Sequence, residues 1–162
     1  MRGRVGAKAW NQDATHSIYI YTDGSKTPDG AGAGIFFNEL NLKQPYKLPN
    51  NCTIFQAEVF AVRKAVELAE TCTTVNLEVN LYIDSQAAIK GITTYKQNSK
   101  LVNSCKAAVE RLSTNRKLHI YCVPSHVGIP GSEAADVVAR SEVHLPKKQM
   151  MEVPAPLRAV RS

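Results

Sequence analysis

The chain has 162 residues, 44% of them hydrophobic and 21% charged, with a formal net charge of +6. That suits one α/β domain with a sizeable core and is ordinary for a soluble globular protein. No apolar run approaches the ~20 residues of a membrane span and no signal peptide is visible, which argues against membrane and secreted classes.

An intracellular protein, nuclear or cytoplasmic, is therefore expected. The positive charge favours a polyanionic partner, although a solvated surface with basic tails would give the same number. Arg2, Arg4 and Lys8 lie near one end and Lys147, Lys148, Arg158 and Arg161 near the other. Cys52, Cys72, Cys105 and Cys122 form no C-x-x-C pair and have no histidine at zinc spacing, so core packing in a reducing compartment is expected of them.

Residues 1–16 lack periodicity and read as a tail. Ser17–Asp23 alternates as a strand, with Ile18, Ile20 and Thr22 on one face and Tyr19, Tyr21 and Asp23 on the other. Thr27-Pro28-Asp29-Gly30 is a turn signal, and Ala31–Phe37 a second strand in which Gly32 and Gly34 permit close backbone approach. Gln44–Leu48 reads as a short edge strand. Phe55–Glu70 has helical spacing in Phe55, Val59, Val62, Val66 and Ala69, with Thr53 and Gln56 forming a capping box. Leu77–Asp84 alternates as the next strand. Ser85–Ile92 and Lys100–Leu112 read as helices, Leu118–Val123 as a strand, Val127–Gly131 as a loop, and Ser132–Ser141 as a last helix capped by Ser132. From Pro146 onward proline and basic residues predict a tail. The order predicts a mixed sheet with helices packed on it.

Asp23 and Asp84 each close a predicted strand, and Glu58 and Asp136 each fall in the first turn of a predicted helix. If the two strands are parallel neighbours, both aspartates emerge at the carboxyl edge of the sheet, where open α/β sheets bind ligands. Glu58 lies on the apolar stripe of its helix, a costly place for an ionised carboxylate unless it is paired or metal-bound. Acidic groups crowded at one edge repel one another, and hard divalent cations relieve that repulsion, so the array reads as a metal site for work on phosphates. Each residue also has an ordinary explanation: a turn at Asp23-Gly24, a cap at Asp84, dipole-complementing acids at Glu58 and Asp136, and a surface histidine at His126. The joint placement of four acids is harder to explain that way.

The segments Tyr21-Thr22-Asp23-Gly24-Ser25, Ala57-Glu58, Tyr82-Ile83-Asp84-Ser85-Gln86 and Pro124-Ser125-His126-Val127-Gly128-Ile129-Pro130-Gly131 resemble the ribonuclease H type 1 family. The Ser125–Gly131 wording and the Ala-rich last helix look most like the RNase H domains of non-LTR retrotransposon reverse transcriptases. The resemblance implies a five-stranded mixed sheet, three antiparallel strands then parallel ones, with helices on both faces. It implies an RNase H domain over residues 17–143 with a 144–162 tail. It also implies endonucleolytic hydrolysis of the RNA strand of an RNA–DNA hybrid, leaving 3′-hydroxyl and 5′-phosphate ends. Two Mg²⁺ ions, with Mn²⁺ as a substitute, would be held by Asp23, Glu58, Asp84 and Asp136. His126 matches the family's mobile histidine, which serves proton transfer or product release.

Substrate contacts implied by the resemblance are the backbone near Gly24, Ser25 and Lys26 at the 2′-hydroxyl, Gln86 with Ser85 beside the minor groove, and Thr53 with Gln56 at a DNA phosphate. Ser132 stands where the family has an asparagine, and Ile54 where it often has another. The stretch between Asp84 and His126 is shorter than in members with a basic handle helix, so the basic tails or a larger reverse transcriptase polyprotein would supply phosphate contacts. The isolated domain is expected to be a monomer. A non-catalytic docking module that kept the fold, or a DNA-transposing relative, are the alternatives.

Overall fold

The structure, a computed structural model, describes residues 16–71, 77–93, 99–123 and 130–141. The strands are β1 (His16–Thr27), β2 (Gly30–Phe37), β3 (Leu42–Leu48), β4 (Leu77–Ile83) and β5 (Lys117–Cys122). The helices are α1 (Ile54–Glu70), α2 (Gln86–Thr93), α3 (Lys100–Asn115) and α4 (Pro130–Ser141).

Alternation along the strands decides which side of the sheet is core. In β1, Ile18 and Ile20 are fully buried, and in β2 so are Ala31, Ala33, Ile35 and Phe37. These residues share one face with Val79, Leu81 and Ile83 of β4. Against that face α1 lays Ala57, Phe60, Ala61, Ala65 and Ala69, and α3 adds Leu101, Cys105, Ala108 and Leu112 behind it. The opposite face carries Phe36, Tyr21, Tyr82 and Tyr121 in one row across β2, β1, β4 and β5. Tyr82 stacks between Tyr21 and Tyr121, with ring centroids 4.8 and 4.9 Å away. Helix α4 covers the β1–β2–β3 part of that face, so helices lie on both sides of the sheet as expected.

The sheet order is β3-β2-β1-β4-β5. β1 pairs antiparallel with β2, and β2 with β3, while β1 pairs parallel with β4, and β4 with β5. Asp23 and Asp84 therefore leave neighbouring parallel strands side by side, since Thr22 pairs with Ile83.

Several boundaries differ from the sequence expectation. Asp23 does not end its strand: β1 runs on to Thr27 because the hairpin with β2 closes only at Gly30, whereas the parallel pairing with β4 stops at Thr22. The last helix begins at Pro130, so Ser132 is a first-turn residue and not its cap. A proline without an N–H, its φ preset for a helix, is well suited to that opening position. Asp136 consequently falls in the second turn, and so does Glu58, because α1 starts at Ile54. The thiols of Cys52, Cys105 and Cys122 are free. Cys52 and Cys105 are buried as expected, but Cys122, last residue of the outer strand β5, is exposed.

Candidate active site

Asp23 is the centre of the site, and two glycines let helices reach it from both faces. A Cβ on Gly24 would sit 2.6 Å from the Glu58 backbone nitrogen and 2.8 Å from the Ala57 carbonyl carbon. Glycine there lets α1 lie directly on β1, which delivers Glu58 to the sheet edge. On the other face, Gly34 pairs with Asp23, and a Cβ on it would meet Ala135 O and Ala139 N at 2.5 Å. Glycine there seats α4 against β2, which delivers Asp136. Gly131 rests on the Tyr21 ring with no room for a side chain, fixing the opening of the same helix.

The result is a convergence of carboxylates. Oxygen atoms of Asp23, Glu58 and Asp84 lie within 4.8 Å of one another. Asp136 joins through a hydrogen bond with Asp23. Asp23 is 7% exposed, and its carboxyl is pushed up to about 10, first by burial, then by the hydrogen bond with Asp136 and by the charge of Asp84. Without a cation it stays protonated at neutral pH and donates to its neighbours. Glu58 is also raised by burial, and the nearby Asp84 charge adds to that, while a hydrogen bond from the Ser85 hydroxyl works against it. The Ser85 oxygen in turn accepts the Ala88 N–H at 3.0 Å and caps α2. One hydroxyl thus ties Glu58 to the start of α2. The Oδ1 atom of Asp84 is buried.

Oxygen-only donors, one of them retaining a proton because it is buried among acids, fit a hard divalent cation. Asp23, Glu58 and Asp84 are placed to hold one, and Asp23 with Asp136 forms a second pair of donors.

The residues expected to meet substrate are placed around this edge in different states. Ser25 and Ser85 are buried, and Gln86 is exposed at the start of α2. Lys26 Nζ donates to the Asn50 carbonyl, which ties the end of β1 to the approach of α1. Thr53 Oγ1 accepts the Gln56 N–H at 3.0 Å, and Gln56 Oε1 accepts the Thr53 N–H at 2.9 Å. The capping box therefore forms as expected and occupies the acceptor of Gln56. Ile54 beside it is 45% exposed. Ser132 is half-buried in the first turn of α4. His126 lies outside the described residues.

One participant was not singled out from sequence. Arg140 Nε is 3.1 Å from each oxygen of Asp136. The available signal was the i,i+4 spacing of an acid followed by a base on one helix.

Comparisons with known proteins identify the family. The RNase H family model matches residues 15–144. A ribonuclease H of Ehrlichia chaffeensis is 30% identical over 149 residues, covering 82% of this chain and 98% of that protein. Among solved structures, RNase H1 from the halophilic archaeon Halobacterium salinarum NRC-1 matches with a TM-score of 0.62 and 21% identity, over 78% of this chain and 97% of that one. At that identity the structural likeness speaks for the fold alone. With the match to most of the chain, the full-length relative and the carboxylate edge in agreement, the chain belongs to the RNase H family and is a ribonuclease H.

Proposed function

We propose that the chain hydrolyses the RNA strand of RNA–DNA hybrids endonucleolytically, with two Mg²⁺ ions, leaving 3′-hydroxyl and 5′-phosphate ends. The observation that carries this reading is the approach of oxygen atoms of Asp23, Glu58 and Asp84 within 4.8 Å of one another. Bound there, divalent cations would supply Lewis acidity at the phosphate and an activated water.

The chain's own residues do the rest. Asp23 is shared between the two donor sets, and it must surrender its proton before it can bind a cation. Ser85 holds the Glu58 carboxylate in the cluster by hydrogen bonding to it. Gly24 and Gly34 keep α1 and α4 close enough that Glu58 and Asp136 cannot drift apart. His126, placed by motif alone, would move a proton or ease product release. Backbone groups at Gly24–Lys26 would meet the 2′-hydroxyl, and Thr53 and Gln86 the DNA-strand phosphate and minor groove.

The wording of Ser125–Gly131 supports a place within a non-LTR retrotransposon reverse transcriptase, with Mn²⁺ able to replace Mg²⁺ and the isolated domain monomeric. That reading carries an intracellular setting, nuclear or cytoplasmic, where such hybrids arise.

Incubation with labelled RNA–DNA hybrid, single-stranded RNA and duplex DNA, with Mg²⁺ or with EDTA, tests the reaction. Cleavage of the hybrid alone, lost in EDTA, is expected. Hybrid binding without cleavage at any Mg²⁺ concentration would overturn it.

A further inference from the structure

We propose that the tyrosine face of β4 and β5, beyond the reach of α4, is the docking surface for the chain's own proline-containing segment, residues 153–157. The inference goes beyond the nuclease reading and does not depend on it.

Among the described residues, helix packing on that side of the sheet comes from α4 and falls on β1, β2 and β3. By register, Tyr19, Asn80 and His119 form one row across β1, β4 and β5, and Tyr21, Tyr82 and Tyr121 form the next. Tyr82 lies 6.1 Å from Tyr19 and 4.9 Å from Tyr121, with the rings stacked, and His119 lies 6.3 Å from Tyr121. Asn80 is short and buried, its amide donating to the Ile18 carbonyl, so it forms a floor bordered by taller rings. Tyr121 at the outer strand is 42% exposed. Two carboxylates border the face. Glu39 accepts the Tyr19 N–H at 2.8 Å, and Glu78 lies in the row below Asn80, with Lys117 beside it.

The sequence supplies a matching occupant. Helix α4 ends at Ser141 on this same side of the sheet, and residues 142–162 follow it. Within them, Val153-Pro154-Ala155-Pro156-Leu157 alternates prolines with apolar residues. Each proline fixes its own φ and pushes the residue before it towards extended backbone, which biases the run to a polyproline helix. Such a ridge loses little entropy on docking, and aromatic-lined grooves are its usual receptors. Lys147 and Lys148 precede the run and Arg158 and Arg161 follow it, opposite in sign to Glu39 and Glu78. The reach suffices: β2 and β5 are three strand spacings apart, about 15 Å, and the stretch from Ser141 to Val153 can span up to ~40 Å. Tethering also raises the segment's effective concentration at the face above that of a free chain of like composition.

Nuclear magnetic resonance of the full chain, with prolines, leucines and tyrosines labelled, tests this. In wild type the Tyr82 and Tyr121 rings should show cross-relaxation with Pro154, Pro156 and Leu157. The proline signals should lie upfield of their free-chain positions, because tyrosine ring currents act on them. Tyr121→Ser should return them to free-chain positions while signals of the buried Ile20 and Leu81 hold their places, which separates undocking from unfolding. Pro154→Ser combined with Pro156→Ser should raise the rate of Tyr121 nitration severalfold. Proline signals at free-chain positions in wild type, or an unchanged nitration rate in the double variant, overturn the proposal. Contacts that vanish on dilution overturn it as well, because the occupant would then belong to a second copy. None of these readouts involves a cation or a hybrid, so a negative result leaves the nuclease reading standing.

Discussion

At the amino end of β4, Glu78 is supplied with donors by the protein itself. Its Oε2 is 2.7 Å from His119 Nε2, and its Oε1 accepts the Ser17 hydroxyl at 3.3 Å. The bond to His119, helped by Ser17 and by the charges of His119 and Lys117, holds its carboxyl below the usual range. Just past the other end of the same strand, Asp84 lies among acids, and Asp23 beside it is pushed up to about 10. The same two parallel strands thus carry a carboxylate surrounded by donors and a group of carboxylates crowded against one another. The first contributes to holding the fold, while the second crowds acids together so that Asp23 keeps a proton that a cation could replace. Stability given up in this way is a common mark of a working site.

The sharpest way to break that contrast is Asp84→Asn. Hybrid cleavage should fall on the order of 10³-fold or more, because a donor and its charge are lost where cations would bind. The metal-free protein should nevertheless melt at a higher temperature, since the Asp84 charge that bears on Asp23 is gone. A variant that loses both activity and stability would show that the cluster is structural. Next in size are Gly34→Ala and Gly24→Ala. Each added Cβ meets helix backbone at 2.5 or 2.6 Å, so α4 or α1 must lift from the sheet. Urea denaturation should report a loss of roughly 1–3 kcal/mol, typical of overpacking. Cleavage should fall further than stability explains, because Asp136 or Glu58 moves with its helix.

Much of this was legible from local pattern. Alternation in β1 and β4 placed Ile18 and Ile20 opposite Tyr21 and Asp23, and the parallel pairing that follows sets Asp23 beside Asp84. The small side chain of Gly34 signalled close approach, and the Thr53–Gln56 pair signalled the start of α1. What the chain order hid was anything needing two elements at once. Ser132 looked like a cap because hydroxyls favour that position, yet Pro130 opens the helix and moves Asp136 into the second turn. Asp23 looked like a strand end, because its extension to Thr27 depends on pairing with β2 and not with β4. The proton held on Asp23 is a property of burial and of two neighbours, Asp84 and Asp136, brought from distant segments, which no single window contains.

The two ends should also titrate in opposite senses. In the metal-free fold Asp23 keeps a proton up to about pH 10, whereas the unfolded chain releases it near its ordinary value of 3.8. The folded state binds more protons throughout that window, so this group's contribution to stability falls as pH rises. Thermal melts in EDTA across the window should show the decline, and Asp23→Asn should flatten it. Added divalent cation should replace the proton and bind more tightly as pH rises, offsetting the decline.

Glu78→Gln gives the smallest effect and the opposite sign. The folded carboxyl of Glu78 lies below its unfolded value, so its contribution is present at neutral pH and is lost as pH falls through that lowered value. Its side chain is 27% exposed and that of His119 43%, which places the pair among ion pairs worth less than about 1 kcal/mol. The substitution should therefore lower the neutral-pH melting temperature slightly, cost nothing in strong acid, and leave hybrid cleavage at the wild-type rate. The comparison fails if Glu78→Gln slows cleavage as Asp84→Asn does, because the carboxylate at the amino end of β4 would then be coupled to the chemistry at its carboxyl end. If only stability moves, the two ends of the strand have separate tasks, and the crowding of acids around Asp23 is what the fold concedes to its reaction.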